Sequence, residues 1–187
     1  MKDKKFPVLT SQRLKLDRLT QKDIKNIFGI FSDPAVIEHY DVEIFKDKSE
    51  ASELIKYFNA LYEGDGGIRW AIRDKKTGTF IGSCGYSNWN PFDHSAVISY
   101  ELSKTHWGKG YASEALTSII NFVFDENFHF YVHRIEALIL PSNKPSELLA
   151  KRHHFEFEGT LKEKCYWNNS FHDMNMFALL RKDWSKL

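Results

Sequence analysis

The chain has 187 residues, 42% of them hydrophobic and 15% aromatic, with a formal net charge of +1. That length and composition suit one folded domain, expected over residues 1–187, and exclude a disordered chain. The near-zero charge gives no whole-chain case for nucleic acid or a membrane surface, and no apolar run approaches the roughly 18 residues of a membrane span.

Leu14-Lys15-Leu16-Asp17 alternates apolar with polar and reads as a strand. Thr20 offers an N-cap to a helix carrying Ile24, Ile27, Phe28 and Phe31, which Asp33-Pro34 breaks. A second helix spans about Ser49 to Leu61, with Leu54, Ile55, Phe58 and Leu61 on one face, and Gly64-Asp65-Gly66-Gly67 ends it. The period then changes to two. Trp70 to Arg73 and Phe80 to Tyr86 form strands around the turn Lys76-Thr77-Gly78, and Ala96 to Leu102 is a third strand of that meander. A long helix follows, its apolar side formed by Ala112, Ala115, Leu116, Ile119, Ile120, Val123 and Phe124. A strand over Ile135 to Leu140, a short helix around Ser146 to Arg152, and a hairpin from Phe155 to Leu180 turning at Asn168-Asn169 complete the chain. The expected fold is mixed α/β (α+β), built around one sheet flanked by helices.

Gly108-Lys109-Gly110 lies between a strand and a helix. A glycine turn there leaves backbone N–H groups at the positive end of the helix dipole, and glycine lets phosphate oxygens approach the backbone. The dinucleotide fingerprint fails because Ser113 stands at its third glycine, and a Walker loop fails because Gly108-Lys109 is followed by Gly110 and lacks the upstream glycine. A turn kept for geometry alone remains open on local sequence.

The stretch Trp107-Gly108-Lys109-Gly110-Tyr111-Ala112 resembles the coenzyme A pyrophosphate loop of the GNAT superfamily of N-acetyltransferases, whose pattern is (Gln or Arg)-x-x-Gly-x-(Gly or Ala). The wider chain is similar to the ribosomal-protein serine and alanine N-acetyltransferase group. Matching stretches run in order from Leu9 to Leu14, through Ile98 to Leu102, Trp107 to Leu116, His133 to Ala137, Asn143-x-x-Ser146 and Phe155-x-x-Glu158-Gly159, to Phe171-His172-Asp173 and Leu179 to Trp184. Two positions depart from the pattern: Trp107 replaces Gln or Arg, and His154 stands where Gly is usual. If that Gly supplies a positive φ at a helix end, His is a costlier occupant.

The resemblance implies a mostly antiparallel, twisted sheet splayed into a V between the fourth and fifth predicted strands, those ending at Leu102 and Leu140. Acetyl-coenzyme A would bind through Trp107, Gly108, Lys109, Gly110, Tyr111 and Ala112. Its pantetheine arm would pair with backbone near Leu102 and Ser103, and Asn143 would reach it from across the split. Glu101 is the candidate base, through water, and Ser146 the candidate acid toward the leaving sulfur. Their bland readings are a salt-bridged strand carboxylate and a helix-start hydroxyl.

The implied reaction moves acetyl from acetyl-coenzyme A to a primary amine by direct attack, without a covalent enzyme intermediate. The acceptor is expected to be a protein or peptide N-terminus, a ribosomal protein included. A small amine such as a polyamine or aminoglycoside is the nearest alternative, with Asp41, Glu43 and Asp65 as carboxylates for a cationic acceptor. A non-catalytic acyl-coenzyme A binding module is the third. No metal, nucleic acid or membrane partner is expected. His129 and His133 lack a third ligand, His153-His154 reads as a solvated helix end, and Cys84 reads as a small apolar residue. Cys165, Trp89, Phe92 and Trp167 are candidates for the acceptor end of the cleft. The N-terminal residues lack a secretory h-region, so the chain is expected to be cytoplasmic, and apolar outer strands are compatible with a homodimer.

Overall fold

The computed structural model describes residues 5–126, 128 and 130–184. Its eight strands are β1 (Leu9–Thr10), β2 (Leu14–Arg18), β3 (Ile68–Asp74), β4 (Phe80–Asn90), β5 (Ser95–Leu102), β6 (Arg134–Ile139), β7 (Glu156–Trp167) and β8 (Ser170–Leu180). They form one sheet in the order β1-β2-β3-β4-β5-β6-β8-β7. Every neighbouring pair is antiparallel except β5 and β6. The helices are α1 (Ile24–Phe31), α2 (Pro34–Ile37), α3 (Lys48–Glu63), α4 (Tyr111–Val123), α5 (Lys144–Arg152) and α6 (Arg181–Trp184).

Strand alternation divides the core between the two sheet faces. Trp70 and Ile72 of β3 pack in a cluster with Leu116, Ile119, Ile120 and Val123 of α4. Ala71, pointing the other way, joins Ile27, Ile30 and Phe31 of α1 and Ala51 and Ile55 of α3. The sheet is therefore the middle layer of a mixed α/β fold.

The V originates in how β5 and β6 pair. Their parallel ladder holds only Ser95–Arg134, Ala96–Ile135 and Val97–Glu136. Beyond it β5 stays with β4 as far as the Leu102–Gly82 pair, and β6 stays with β8 as far as Ile139–Asn175. The two strands part, and backbone groups along the rest of β5 are left without a strand partner on that side. This is the split expected between the fourth and fifth predicted strands.

Several elements differ from expectation at their ends. Asp33-Pro34 ends α1 but also starts α2: Asp33 Oδ1 accepts from Ala35 N at 2.9 Å, and Pro34 sits at the first helical position. Asp47 caps α3 in a capping box with Glu50, which sets its start ahead of Ser49. β4 runs on to Asn90 through a bulge opposite β5, where Asn88 takes a φ of 53°. The hairpin turn between β7 and β8 is where Asn168-Asn169 put it, with φ of 49° and 55° at the two residues.

Candidate active site

Where β5 and β6 diverge, the sheet opens into a cleft of about 440 Å³ that reaches both faces. On the α4 face its walls include Ile98, Tyr100, Leu116, Ser146 and Ala150. On the α3 face they include Tyr40, Asp41, Tyr57, Arg69, Ser99 and Asn88, with Cys165 and Trp167 arriving from β7. Leu138 to Leu140 and Asn143 form the far side.

The glycine turn closes one end. A short 3-10 turn over Lys104–His106 follows β5, then Trp107 extends and Gly108 takes a φ of 71°. Gly110 is the N-cap of α4 in the left-handed region, φ 78°, and no side chain caps the helix. A Cβ on Gly108 would meet nothing within 4 Å, so the space in front of that backbone is open. An uncapped helix start preceded by two positive-φ glycines is the donor set a pyrophosphate needs, so these residues fit the cofactor the resemblance implies.

Arg13, which sequence reasoning passed over, braces the turn. Its Nη1 donates to Lys109 O at 2.9 Å, its Nε pairs with Glu114 at 2.6 Å, and its guanidinium lies 4.7 Å from the centre of the Tyr111 ring. Only its place in a β1–β2 connection packed on α4 makes it visible. The Trp107 departure also has a structural use, since its Nε1–H donates to Leu102 O at 2.9 Å and ties the turn to the end of β5.

The hydrogen-bond phase of β5 decides which backbone groups face the split. Ser103 N donates to Ile81 O at 2.9 Å, so odd-numbered residues turn toward β4. Tyr100 and Leu102 therefore turn toward the cleft, while the Ser103 N–H is already used within the sheet.

Asn143 lines the cleft as the N-cap of α5, its Oδ1 accepting from Ser146 N at 3.2 Å. Ser146 faces Tyr100 across the opening. Burial holds the Tyr100 phenol above its ordinary pKa, and a hydrogen bond with Ser146 opposes that shift. The expected Asn143 and Ser146 thus share one wall, and Tyr100 is the additional partner that only tertiary structure reveals.

Glu101 lies beneath the cleft surface and does not line it. Its side chain is 1% exposed, and it forms an ion pair with Arg69, itself 3% exposed. Ser83 Oγ donates to its other oxygen, and Tyr40 Oη donates to Oε2 at 2.8 Å. Arg69 is held further by Nε donating to Ser83 Oγ at 2.9 Å, by Nη1 donating to Ser99 Oγ at 2.6 Å, and by the Phe58 ring 5.1 Å away. Tyr40 and Arg69, not Glu101, present this network to the cleft. Burial pushes the Tyr40 phenol up, and the Arg69 charge opposes it.

Other expectations divide. Cys84 is buried and its thiol is pushed up to about 12 by desolvation, which suits an inert packing residue. Cys165 and Trp167 line the cleft, whereas Trp89 packs against Phe130 and His94, and Phe92 is 92% exposed on the β4–β5 turn. His153 is not solvated. It is 6% exposed and its Nε2 lies 2.9 Å from Ser113 Oγ of α4, because the end of α5 packs under that helix. His154 has the positive φ that its place predicts, 62°. His129 lies outside the described residues. Among the described residues no helix is long and apolar enough to cross a membrane.

Residues 13–156 match the family model described as an acetyltransferase (GNAT) domain. An uncharacterized N-acetyltransferase of Bacillus subtilis, YoaA, is 31% identical over 176 residues, 94% of this chain and 98% of its own. The [ribosomal protein uS5]-alanine N-acetyltransferase of Escherichia coli is 28% identical over 128 residues, 68% of this chain and 64% of its own. The solved structure of RimL, a ribosomal L7/L12 alpha-N-protein acetyltransferase in complex with coenzyme A, shares the fold with a TM-score of 0.81 at 20% identity, over 93% of this chain and 98% of that one. With the glycine turn, the split sheet and the cleft between its arms, the family match over most of the length establishes that the chain belongs to the GNAT acetyltransferases and is an acetyl-coenzyme A-dependent N-acetyltransferase.

Proposed function

We propose that the acceptor is the α-amino group of a protein or peptide, a ribosomal protein among the candidates. The observation that carries this reading is the form of the acceptor side. Its walls are contributed by separate elements, the α2–α3 loop, α3, the β4 bulge and β7, which suits an extended acceptor. The relative named a [ribosomal protein uS5]-alanine N-acetyltransferase and the similar structure named a ribosomal L7/L12 alpha-N-protein acetyltransferase support it.

The chemistry agrees. An α-amino group has a reference pKa of about 7.7–8.0, so about a third is neutral near pH 7.5, against roughly one part in a thousand for lysine. Such an acceptor needs only a modest base.

In this reading the N–H groups from Gly108 to Ala112 hold the pyrophosphate, with Trp107 and the Glu114-paired Arg13 fixing the turn and Lys109 adding positive charge. The backbone of Tyr100 and Leu102, next to Ser103, pairs with the pantetheine arm as an added strand, and Asn143 contacts it from the opposite wall. Acetyl-coenzyme A supplies the activated acetyl thioester when bound. Ser146, backed by the Tyr100 hydroxyl, donates a proton toward the leaving sulfur. Glu101 acts through Tyr40: as the Tyr40 oxygen takes the acceptor's proton, directly or through water, the phenol's own proton passes to Glu101 Oε2, which already accepts its hydrogen bond.

Release of free thiol from acetyl-coenzyme A, measured against N-terminally free peptides, polyamines and aminoglycosides, tests the acceptor. Peptides are expected to turn over with the highest kcat/KM, and turnover of polyamines alone would reassign it. Ser146→Ala is expected to lower kcat by about 10²-fold at saturating cofactor, and an unchanged kcat removes Ser146 from the mechanism.

A further inference from the structure

We propose that Asp41 recognises the acceptor as a cation, and that the site therefore selects primary amines with no carboxylate beside the amine. This rests on the acetyl-transfer reading above and specifies the acceptor class at the same site.

The charge content of the cleft is small. Among the described residues lining it, Asp41 and Arg69 are the two that carry full charge, with His39 as a third titratable ring and no lysine. The Arg69 charge is matched by Glu101 immediately beneath it. That leaves Asp41 as the unpaired charge lining the cleft, with Lys164 of β7, outside the lining, opposing it at Cys165.

Asp41 is exposed and makes no hydrogen bond or ion pair among the described residues. Its field reaches two walls, since it contributes to the raised pKa of both the Tyr40 phenol and the Cys165 thiol. The other acidic candidates sit elsewhere. Glu43 does not line the cleft, and Asp65 lines a separate cavity beside Tyr62 and Phe128.

The aromatic side chains Tyr40, Tyr57 and Trp167 line the same side as Asp41. An acidic group among aromatic walls favours an ammonium, by direct charge attraction and through ring faces. A free amino acid would instead bring its carboxylate toward Asp41, and a phosphorylated acceptor would do so more strongly. A peptide N-terminus has a neutral amide at that place and avoids the repulsion. Capture of the charged form acts on binding, whereas proton removal at Tyr40 acts on turnover, so the two separate in KM and kcat.

The test compares the unmodified protein with Asp41→Asn and Asp41→Glu. Acceptors are an N-terminally free tripeptide amide, spermidine, and the free amino acid of the same first residue. Asp41→Asn should raise KM for the tripeptide amide on the order of tenfold, move kcat less than about threefold, and leave KM for acetyl-coenzyme A unchanged. Asp41→Glu should recover part of the loss, and raising salt to about 0.5 M should shrink the difference. Equal KM values for the unmodified protein and Asp41→Asn, or equal use of the free amino acid and the tripeptide amide, overturn the proposal. Calorimetry of the tripeptide amide and spermidine into coenzyme A-loaded protein separates the two layers. Binding that depends on Asp41 without turnover sustains this inference and sinks acetyl transfer to those acceptors. Turnover indifferent to Asp41 does the reverse, and failure of both amines to bind the loaded protein also overturns it.

Discussion

Glu101→Gln separates a buried structural charge from a catalytic one. The substitution keeps the side chain's size and one acceptor oxygen, which can keep the Tyr40 hydrogen bond while the amide NH2 turns to Ser83 Oγ, but it removes the negative charge facing Arg69. Both side chains of the pair are almost fully buried, so the guanidinium has no water to replace its partner. Removing one member of a buried pair costs about 3–5 kcal/mol. Arg69 keeps its bonds to Ser83 and Ser99 and its contact with Phe58, which argues for the lower end, about 3 kcal/mol. For a domain of this size that corresponds to a fall in Tm of about 6–12 °C. The assay is thermal or urea unfolding of Glu101→Gln, of Arg69→Met and of the double variant, with turnover measured well below each transition. The double variant should regain most of the loss, because a neutral replacement of the whole pair leaves no orphaned charge. A Glu101→Gln protein as stable as the unmodified one would falsify the buried-pair argument. If its turnover nevertheless fell a hundredfold, the Glu101 carboxylate would serve proton transfer and not packing.

Three other outcomes follow from particular residues. His154→Gly should raise stability by about 0.5–1 kcal/mol, seen as a Tm gain of roughly 1–4 °C, because His154 pays for a left-handed conformation that glycine adopts freely. Its site is a full Schellman turn, with His154 N donating to Lys151 O and Phe155 N to Ala150 O, both at 3.0 Å, so no other contact need change. Gly108→Ala should raise KM for acetyl-coenzyme A at least tenfold with little change in fold stability beyond about 1–2 kcal/mol, since the added methyl meets no protein atom but requires a positive φ in front of the proposed phosphate site. Unchanged cofactor KM would move that site elsewhere. For pH, burial and the neighbouring His154 lower the His153 pKa. The unfolded chain then binds a proton near pH 6.5 that the folded chain still refuses, so this contribution is intact above that value and is lost as pH falls below it. Denaturation midpoints from pH 7.5 to 5.5 should fall for the unmodified protein and fall less steeply for His153→Gln; parallel slopes would exclude His153 as the source.

Periodicity and local chemistry were enough to read the helices and strands, because each depends on residues a few positions apart. The same holds for the glycine turn: the donors of Gly108 to Ala112 are backbone groups, and their exposure follows from two glycines at a strand–helix junction. The positive φ at His154 was legible for this reason also. Element ends were less so, since Pro34 both stops one helix and opens another, and only packing of Val36 and Ile37 against the α1 and α3 core decides that it does.

Side-chain roles within the cleft needed the assembled sheet. Whether Glu101 met water or Arg69 depended on β3, β4 and β5 lying side by side, which brings Arg69, Ser83 and Glu101 together from distant stretches of chain. Strand alternation told only that Glu101 and Tyr100 point to opposite faces; it could not tell that one face was covered by Tyr40 and Phe58 and the other by Ser146. The same long-range packing buried His153 under α4 and put Asp41 in one cleft with Cys165 and Trp167 of β7. Local sequence thus settled the elements and the exposed glycine turn, because these rest on backbone geometry, while the family followed from a collinear resemblance along the chain. Tertiary structure alone decided which charges are spent inside the sheet and which one is left exposed in the cleft, because desolvation and pairing are properties of neighbours in space.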